Sequence, residues 1–374
     1  MSMKHSRSPD SLDDTPYLIP PPDDEARKCG CKNETFRLAI GLVLVFMIAI
    51  SWTGATQFGR SVYDVNFDAP YLTAWFVMCF QCVIFPLSLL AFVGRRKKLR
   101  EYWNKSMELF GPDGLTLRGF LKFGLIYALP LNIISILANY LFYRALKSLN
   151  PSTVASIFSA QSAFVYALSI IFLKEKFFFT RLTSVLLSVG GIVLMGHGEG
   201  FQNASTVGVI LTAIAALCAA IFQVAFKRSF GFPATGQVAV IVTYIGLTNL
   251  LILPYFIFIF KHVGWEHFIW SALPWKLLIG TALLGLMFNF LLIFGVAYTY
   301  PLFISIGNLI GVPMNAAIDA IFRGEDFDAF KIAAFFIIVT GFMLLLIPIS
   351  RIEYFEREVC CKKCNKRNDE EDLE

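Results

Sequence analysis

About ten predominantly apolar runs follow one another along this chain, each near the ~20 residues a helix needs to cross ~30 Å of hydrocarbon. Short polar breaks separate them, and the runs predict spans over 36–58, 71–92, 121–146, 154–173, 182–197, 207–228, 237–260, 276–298, 301–322 and 329–350. Inside hydrocarbon every backbone N–H and C=O needs a partner in its own segment, so runs of this length read as α-helices. The expected fold is an all-α membrane protein with ten transmembrane helices.

The pattern also repeats. At an offset of 150 residues Asn139 falls on Asn289, Pro151 on Pro301, Phe172 on Phe322, Glu175 on Glu325, Phe177 on Phe327 and Gly191 on Gly341. Shared Asn, Pro, Glu and Gly are harder to obtain by chance than shared Leu, and they point to a five-helix unit used twice. Five is odd, so the second unit enters the bilayer from the opposite face and the halves form inverted repeats, residues 36–200 and 201–350. That is the architecture of alternating-access carriers, with a site between the halves.

Composition and charge sharpen the picture. With 56% hydrophobic and 16% charged residues and a mean hydropathy of +0.64, lipid must be part of the solvent. About 23 Lys and Arg fall on the side of the termini and about 7 on the other, which puts both termini in the cytosol. The net charge of +5 is thus a topology signal and not a nucleic-acid patch. The tail over 1–35 is polar, acidic and proline-rich, without the apolar core of a cleaved leader, and reads as a disordered cytosolic tail, and 351–374 as a second cytosolic tail. Cys29, Cys31, Cys360, Cys361 and Cys364 flank the first and last spans, where palmitoylation is a better fit than zinc. An Asn203-Ala204-Ser205 glycosylation sequon lies in a loop assigned to the non-cytosolic side. Asp14-Thr15-Pro16-Tyr17-Leu18-Ile19 fits an acidic-dileucine sorting pattern, so plasma membrane, endosome or lysosome, and Golgi all stay open, as does a homodimer.

The chemistry is that of binding and not of catalysis. Four histidines, none in a predicted bilayer core, and no nucleophile elbow, phosphate loop or metal-ligand helix argue against an enzyme, and no cofactor is expected. What remains is a set of neutral polar residues at membrane depth: Asn132, Asn139, Gln161, Gln223, Asn289, Asn308 and Asn315. Such groups hold helices together or line a watery cavity. Asp319 is the carboxylate placed within an apolar run, suited to balancing a cation or carrying a coupling proton, with Arg323 at i+4 as an alternative partner. Trp52, Tyr140, Tyr143 and Tyr166 lie near these positions and offer faces for a flat ring or a cation. Glu175 and Glu325 stand at helix starts, where structural capping is the expected role. Trp265, Trp270 and Trp275 read as an interfacial belt. No Lys or Arg sits at midplane, which disfavours an anionic substrate.

Asn139-Tyr140-Leu141, the LKEKF segment around Glu175, Gly190-Gly191, and Thr299-Tyr300-Pro301 with Pro313, Asn315 and Asp319 resemble the drug/metabolite transporter superfamily. Together with Thr53-Gly54-Ala55-Thr56-Gln57 and Phe67-Asp68-Ala69-Pro70, they resemble most narrowly solute carrier family 35, subfamily F, in the branch associated with thiamine transport. The resemblance covers residues 36–350. It implies a ten-helix carrier whose cavity is lined by spans one to four and six to nine, for a small-molecule substrate. Thiamine, a thiazolium cation with an aminopyrimidine ring, suits aromatic faces, neutral amides and one carboxylate. An endomembrane carrier of nucleosides or nucleotide sugars and a non-transporting membrane scaffold are the rival readings.

Overall fold

A computed structural model describes residues 32–63, 67–90, 96–110, 116–173, 178–198, 203–231, 233–298, 301–324 and 328–345. Glu175, Glu325, the sorting pattern and the five terminal cysteines lie outside the described residues, as do the side chains of Asn203 and Asn308. Fifteen α-helices are described: α1 (Lys32–Ser61), α2 (Pro70–Cys79), α3 (Ile84–Leu90), α4 (Arg96–Met107), α5 (Leu117–Phe123), α6 (Leu129–Leu146), α7 (Pro151–Ser159), α8 (Gln161–Leu173), α9 (Phe179–Gly198), α10 (Asn203–Phe230), α11 (Thr235–Ile252), α12 (Pro254–Val263), α13 (Trp275–Tyr298), α14 (Pro301–Phe322) and α15 (Ala329–Leu345). Among the described residues, seven stretches are long and apolar enough to cross a membrane: Gly41–Ser61, Pro70–Leu90, Leu117–Leu146, Pro151–Leu173, Thr206–Phe230, Thr235–Ile252 and Trp275–Ile293. Phe179–Leu194, Ile310–Phe322 and Ala329–Gly341 are shorter apolar helices. Leu117, Leu125, Phe179, Ile321 and Phe322 are among many large apolar side chains left exposed, a surface that only lipid would cover.

Three local breaks have local causes. The second span is interrupted by a 3-10 turn at Phe80–Val83, where Phe85 N–H donates to Thr243 Oγ1 at 2.8 Å and Thr243 donates to Gln81 O at 3.4 Å. The third span carries a π turn at Gly124–Ala128, and the Tyr244 hydroxyl lies against Gly124 and donates to Phe120 O at 3.0 Å. Wide turns of this kind arise where a side chain inserts into the helical ladder. The seventh run, expected unbroken to 260, ends at Ile252. Pro254 opens α12 because it has no N–H to continue α11. Between the second and third spans, where a loop was expected, α4 packs on α11 and α3.

The helices pair as α9 with α15, α6 with α10, α1 with both α13 and α14, α8 with α10, α2 with α6, and α7 with α14. Helices α1 and α14 run parallel. A methyl group on Gly307 would meet Val45 O at 3.1 Å, Thr53 Oγ1 donates to Gly311 O at 3.1 Å, and Arg323 reaches Ser61. Small residues at the first two of these crossings let the backbones approach closely.

Candidate functional site

The α1–α14 seam changes character along its length. Along α14 and the residue that follows it, every fourth position faces α1: Gly307, Gly311, Asn315, Asp319 and Arg323, matched on α1 by Val45, Thr53, Gln57 and Ser61. The apolar half packs through glycine, and the polar half forms a clasp. Gln57 Nε2 donates to Asn315 Oδ1 at 3.2 Å and to Asp319 Oδ1 at 2.9 Å. Its carbonyl oxygen accepts from Arg323 Nε at 3.3 Å. Asp319 and Asn315 are both 0% exposed.

Asp319 also reaches across to the first half of the chain. Its Oδ2 accepts from Ser152 N–H at 2.7 Å, just past the Pro151 that opens α7. A carboxylate at that point satisfies an amide that no helical carbonyl reaches and opposes the positive helix end. Arg323 Nε lies 3.6 Å from Asp319 Oδ1 and its Nη2 donates to Ser61 Oγ at 3.0 Å. The carboxylate is therefore fully engaged, by α1, α7 and its own helix.

One turn away from Gln57, Trp52 stands among rings from three other helices. Its centroid lies 5.7 Å from Phe142 on α6, 5.8 Å from Phe158 on α7 and 5.0 Å from Phe288 on α13. A methyl group on Gly311 would come within 2.9 Å of its Cδ1, so α14 forms the floor of this box. Trp52, Asn139, Tyr140, Gln161, Gln223 and Asn289 are all half-buried. An aromatic box one helical turn from a carboxylate and two carboxamides can hold a flat ring by stacking, a cation over ring faces and polar edges by amide bonds.

The other expected site residues divide. Tyr143 is buried and packs its ring against Gly59 of α1, and Tyr140 meets Tyr71 edge-on at 6.3 Å. Asn139 and Asn289 each donate to a carbonyl of their own helix, Ser135 O and Gly285 O, both at 2.9 Å. Gln161 and Gln223 belong to α8 and α10, which pack together. Tyr166 is drawn elsewhere. Its hydroxyl accepts from Phe178 N–H at 2.9 Å, and Arg181 lies 5.4 Å from its ring centre, tying α8 to α9. Asn132 is buried with neither polar atom of its side chain hydrogen-bonded. Trp265, Trp270 and Trp275 are exposed, as a belt requires.

Gln57, Thr53, Ser152 and the three Phe rings were not foreseen. The four-residue spacing of Gly307, Gly311, Asn315, Asp319 and Arg323 was there to be read, and it marks a single helix face. Nothing in the sequence singles out Ser152, whose backbone and not its side chain makes the bond.

A model of the EamA-like transporter family matches residues 39–196. Solute carrier family 35 member F3 of Mus musculus is 32% identical over 325 residues, covering 85% of this chain and 76% of that protein. Its Homo sapiens counterpart is 32% identical over 314 residues, covering 82% and 73%. Solute carrier family 35 member F4 of Mus musculus is 34% identical over 330 residues, covering 87% and 67%. With identity of this order along most of its length, the chain belongs to solute carrier family 35, subfamily F, within the drug/metabolite transporter superfamily, and is a multi-pass membrane transporter.

Proposed function

We propose that the chain is a secondary-active carrier that moves a small polar or cationic organic solute, thiamine first among them, by alternating access between two inverted five-helix repeats. The carrying observation is the convergence at one seam of the Trp52 box with Gln57, Asn315 and Asp319. In this reading Trp52 stacks on the solute, Asn139, Tyr140, Gln161, Gln223, Asn289 and Asn308 orient it, and Asp319 answers its charge or carries a coupling proton. Tyr143 shapes the wall from behind, and Tyr166 serves the α8–α9 tie and not the solute. Such a solute reaches Asp319 only by releasing Gln57 or Ser152, so occupancy and the closure of this end compete for one carboxylate.

The two-repeat organisation has support in the packing. Interchanging the halves turns the α6–α10 pair into α13–α1 and the α8–α10 pair into α14–α1, while α9–α15 and α7–α14 return to themselves; all of these contacts occur. A methyl group on Gly191 would meet Ile338 and Ala334, and one on Gly341 would meet Ser188 and Ser184, the same contacts displaced by the 150-residue offset. Parallel α1 and α14 fit spans one and nine of a ten-span chain.

Uptake into proteoliposomes of radiolabelled thiamine, a nucleoside and a nucleotide sugar, with and without a pH gradient, tests the reading. We expect saturable thiamine uptake that falls at least about tenfold in Asp319→Asn, at unchanged membrane abundance. Asn keeps an oxygen for Ser152 N–H and loses the charge opposite Arg323. Uptake of the nucleotide sugar alone would overturn the cationic assignment, and uptake unchanged in the variant would remove Asp319 from the mechanism.

A further inference from the structure

A second contact between the halves closes the same end of the bundle, joined to the first through Arg60, whose Nη1 lies 3.5 Å from Lys147 O. Its centre is Glu266, in the segment between α12 and α13. Glu266 is 2% exposed. One carboxylate oxygen accepts from Tyr71 N–H and the other from Leu72 N–H at 3.3 Å. These are amides of the first turn of α2, which Pro70 opens. Around this point the segments 67–70 and 264–274 hold each other. His267 N–H donates to Asp68 O at 2.9 Å, the rings of Phe67 and Phe268 lie 6.4 Å apart, and Lys261 sits 4.7 Å from the ring centre of Phe268. Asp68 in turn pairs with Lys147 at 2.7 Å and Arg144 at 3.5 Å at the end of α6. A connection between α1 and α2 is thus latched to one between α12 and α13.

We propose that Glu266 is the proton-binding residue of a gate at this end, holding its proton more tightly while the latch is closed over it than once the two connections part and water reaches it. The proposal rests on the carrier reading, since a gate presupposes something to pass. The charged and titratable groups that act on this carboxyl are Asp68 from the first connection, Tyr63 beyond α1, Tyr71 of α2, and Tyr140 and Arg144 of α6, while Lys147 pairs with Asp68, Lys261 of α12 stands over the Phe268 ring and His267 is the next residue. Burial pushes the Glu266 carboxyl from its ordinary 4.5 up to about 7; the two amides and Arg144 pull it down, and Asp68 adds to the rise. Solvated in an open gate it returns to the ordinary carboxylate range. The closed form then binds more protons than the open one between these values. The contribution to closure is full below the ordinary value, declines as pH rises toward about 7 and is level above it. Closing takes up a proton, and raising the pH from 5.5 to 7 favours opening by about tenfold.

Hydrogen exchange at the Tyr71 and Leu72 amides, measured on the full chain in lipid nanodiscs and expressed as protection relative to the intrinsic rate, tests this. In the wild type, protection should fall about tenfold between pH 5.5 and 7. Glu266→Gln should flatten the profile, and His267→Ala should leave it intact. A flat wild-type profile, or a pH dependence that vanishes in His267→Ala, overturns the proposal even if Glu266→Gln fails to fold. Exchange uses no solute, so a chain that moves none of the three tested solutes yet shows the wild-type profile overturns the substrate assignment and keeps the proton site.

Discussion

Gln57 makes three bonds that no other side chain of its size can reproduce. Its amide nitrogen serves two acceptors, Asn315 and Asp319, while its oxygen serves the donor Arg323. Glu in its place would set a carboxylate against Asp319, and Leu would deprive the buried Asn315 and Asp319 and the half-buried Arg323 of a partner. We therefore expect Gln57→Leu and Asp319→Asn to be strongly non-additive, with an interaction energy of about 1–2 kcal/mol in a double-mutant cycle read by thermal unfolding in detergent. At Trp52 the expected loss is in affinity. Trp52→Ala should raise the KM for a cationic solute about tenfold, since cation–π contact contributes ~0.5–2 kcal/mol, and Trp52→Phe should recover most of it. Asp319 was legible because an ionisable residue in an apolar run stands out by type alone. Glu266 was not, because an acidic residue in a polar connection is ordinary until the fold buries it.

Two glycines separate the demands of an element from those of its surroundings. A methyl group on Gly246 of α11 would stand 2.5 Å from the Cys82 nitrogen and 2.9 Å from the Gln81 carbonyl carbon, backbone atoms that cannot turn aside. Gly190 of α9 has open space around it. Gly246→Ala should therefore lower stability by ~1–3 kcal/mol or more, whereas Gly190→Ala should raise it by up to ~1 kcal/mol through helix propensity. Thermal unfolding of the two purified variants distinguishes them. The span positions themselves followed from hydropathy, since the same apolar runs that fill hydrocarbon also make the helices. The breaks did not, apart from Pro254, because the 3-10 turn at Phe80–Val83 is held by Thr243 from another helix. The surface helix α4 was hidden by its charge: among its described side chains the inward side is Ser106 and Met107 with the half-buried Leu99 and Tyr102, too few to register as an apolar run.

Across the whole molecule, both carboxylate contacts sit at one end and each joins a late segment to the start of an early Pro-opened helix: Asp319 to α7, Glu266 to α2. Locking that end should stop transport. A cysteine pair at Ser61 and Arg323, bridged by a short bis-methanethiosulfonate reagent in a background without the eight native cysteines, should abolish uptake, and reduction should restore it. Uptake that survives bridging would mean that α1 and α14 need not separate. The approximate place of the apolar helices, the internal offset of 150 residues and the polar inventory could all be read from the chain, because each depends on residue type at a position or at a constant separation. Which of those polar residues meet, that Tyr166 belongs to a helix tie and Trp52 to an aromatic box, and that Glu266 is buried, were decided by how the helices rotate and tilt against one another. That choice rests on many weak contacts between segments far apart in the chain, and no local pattern carries it.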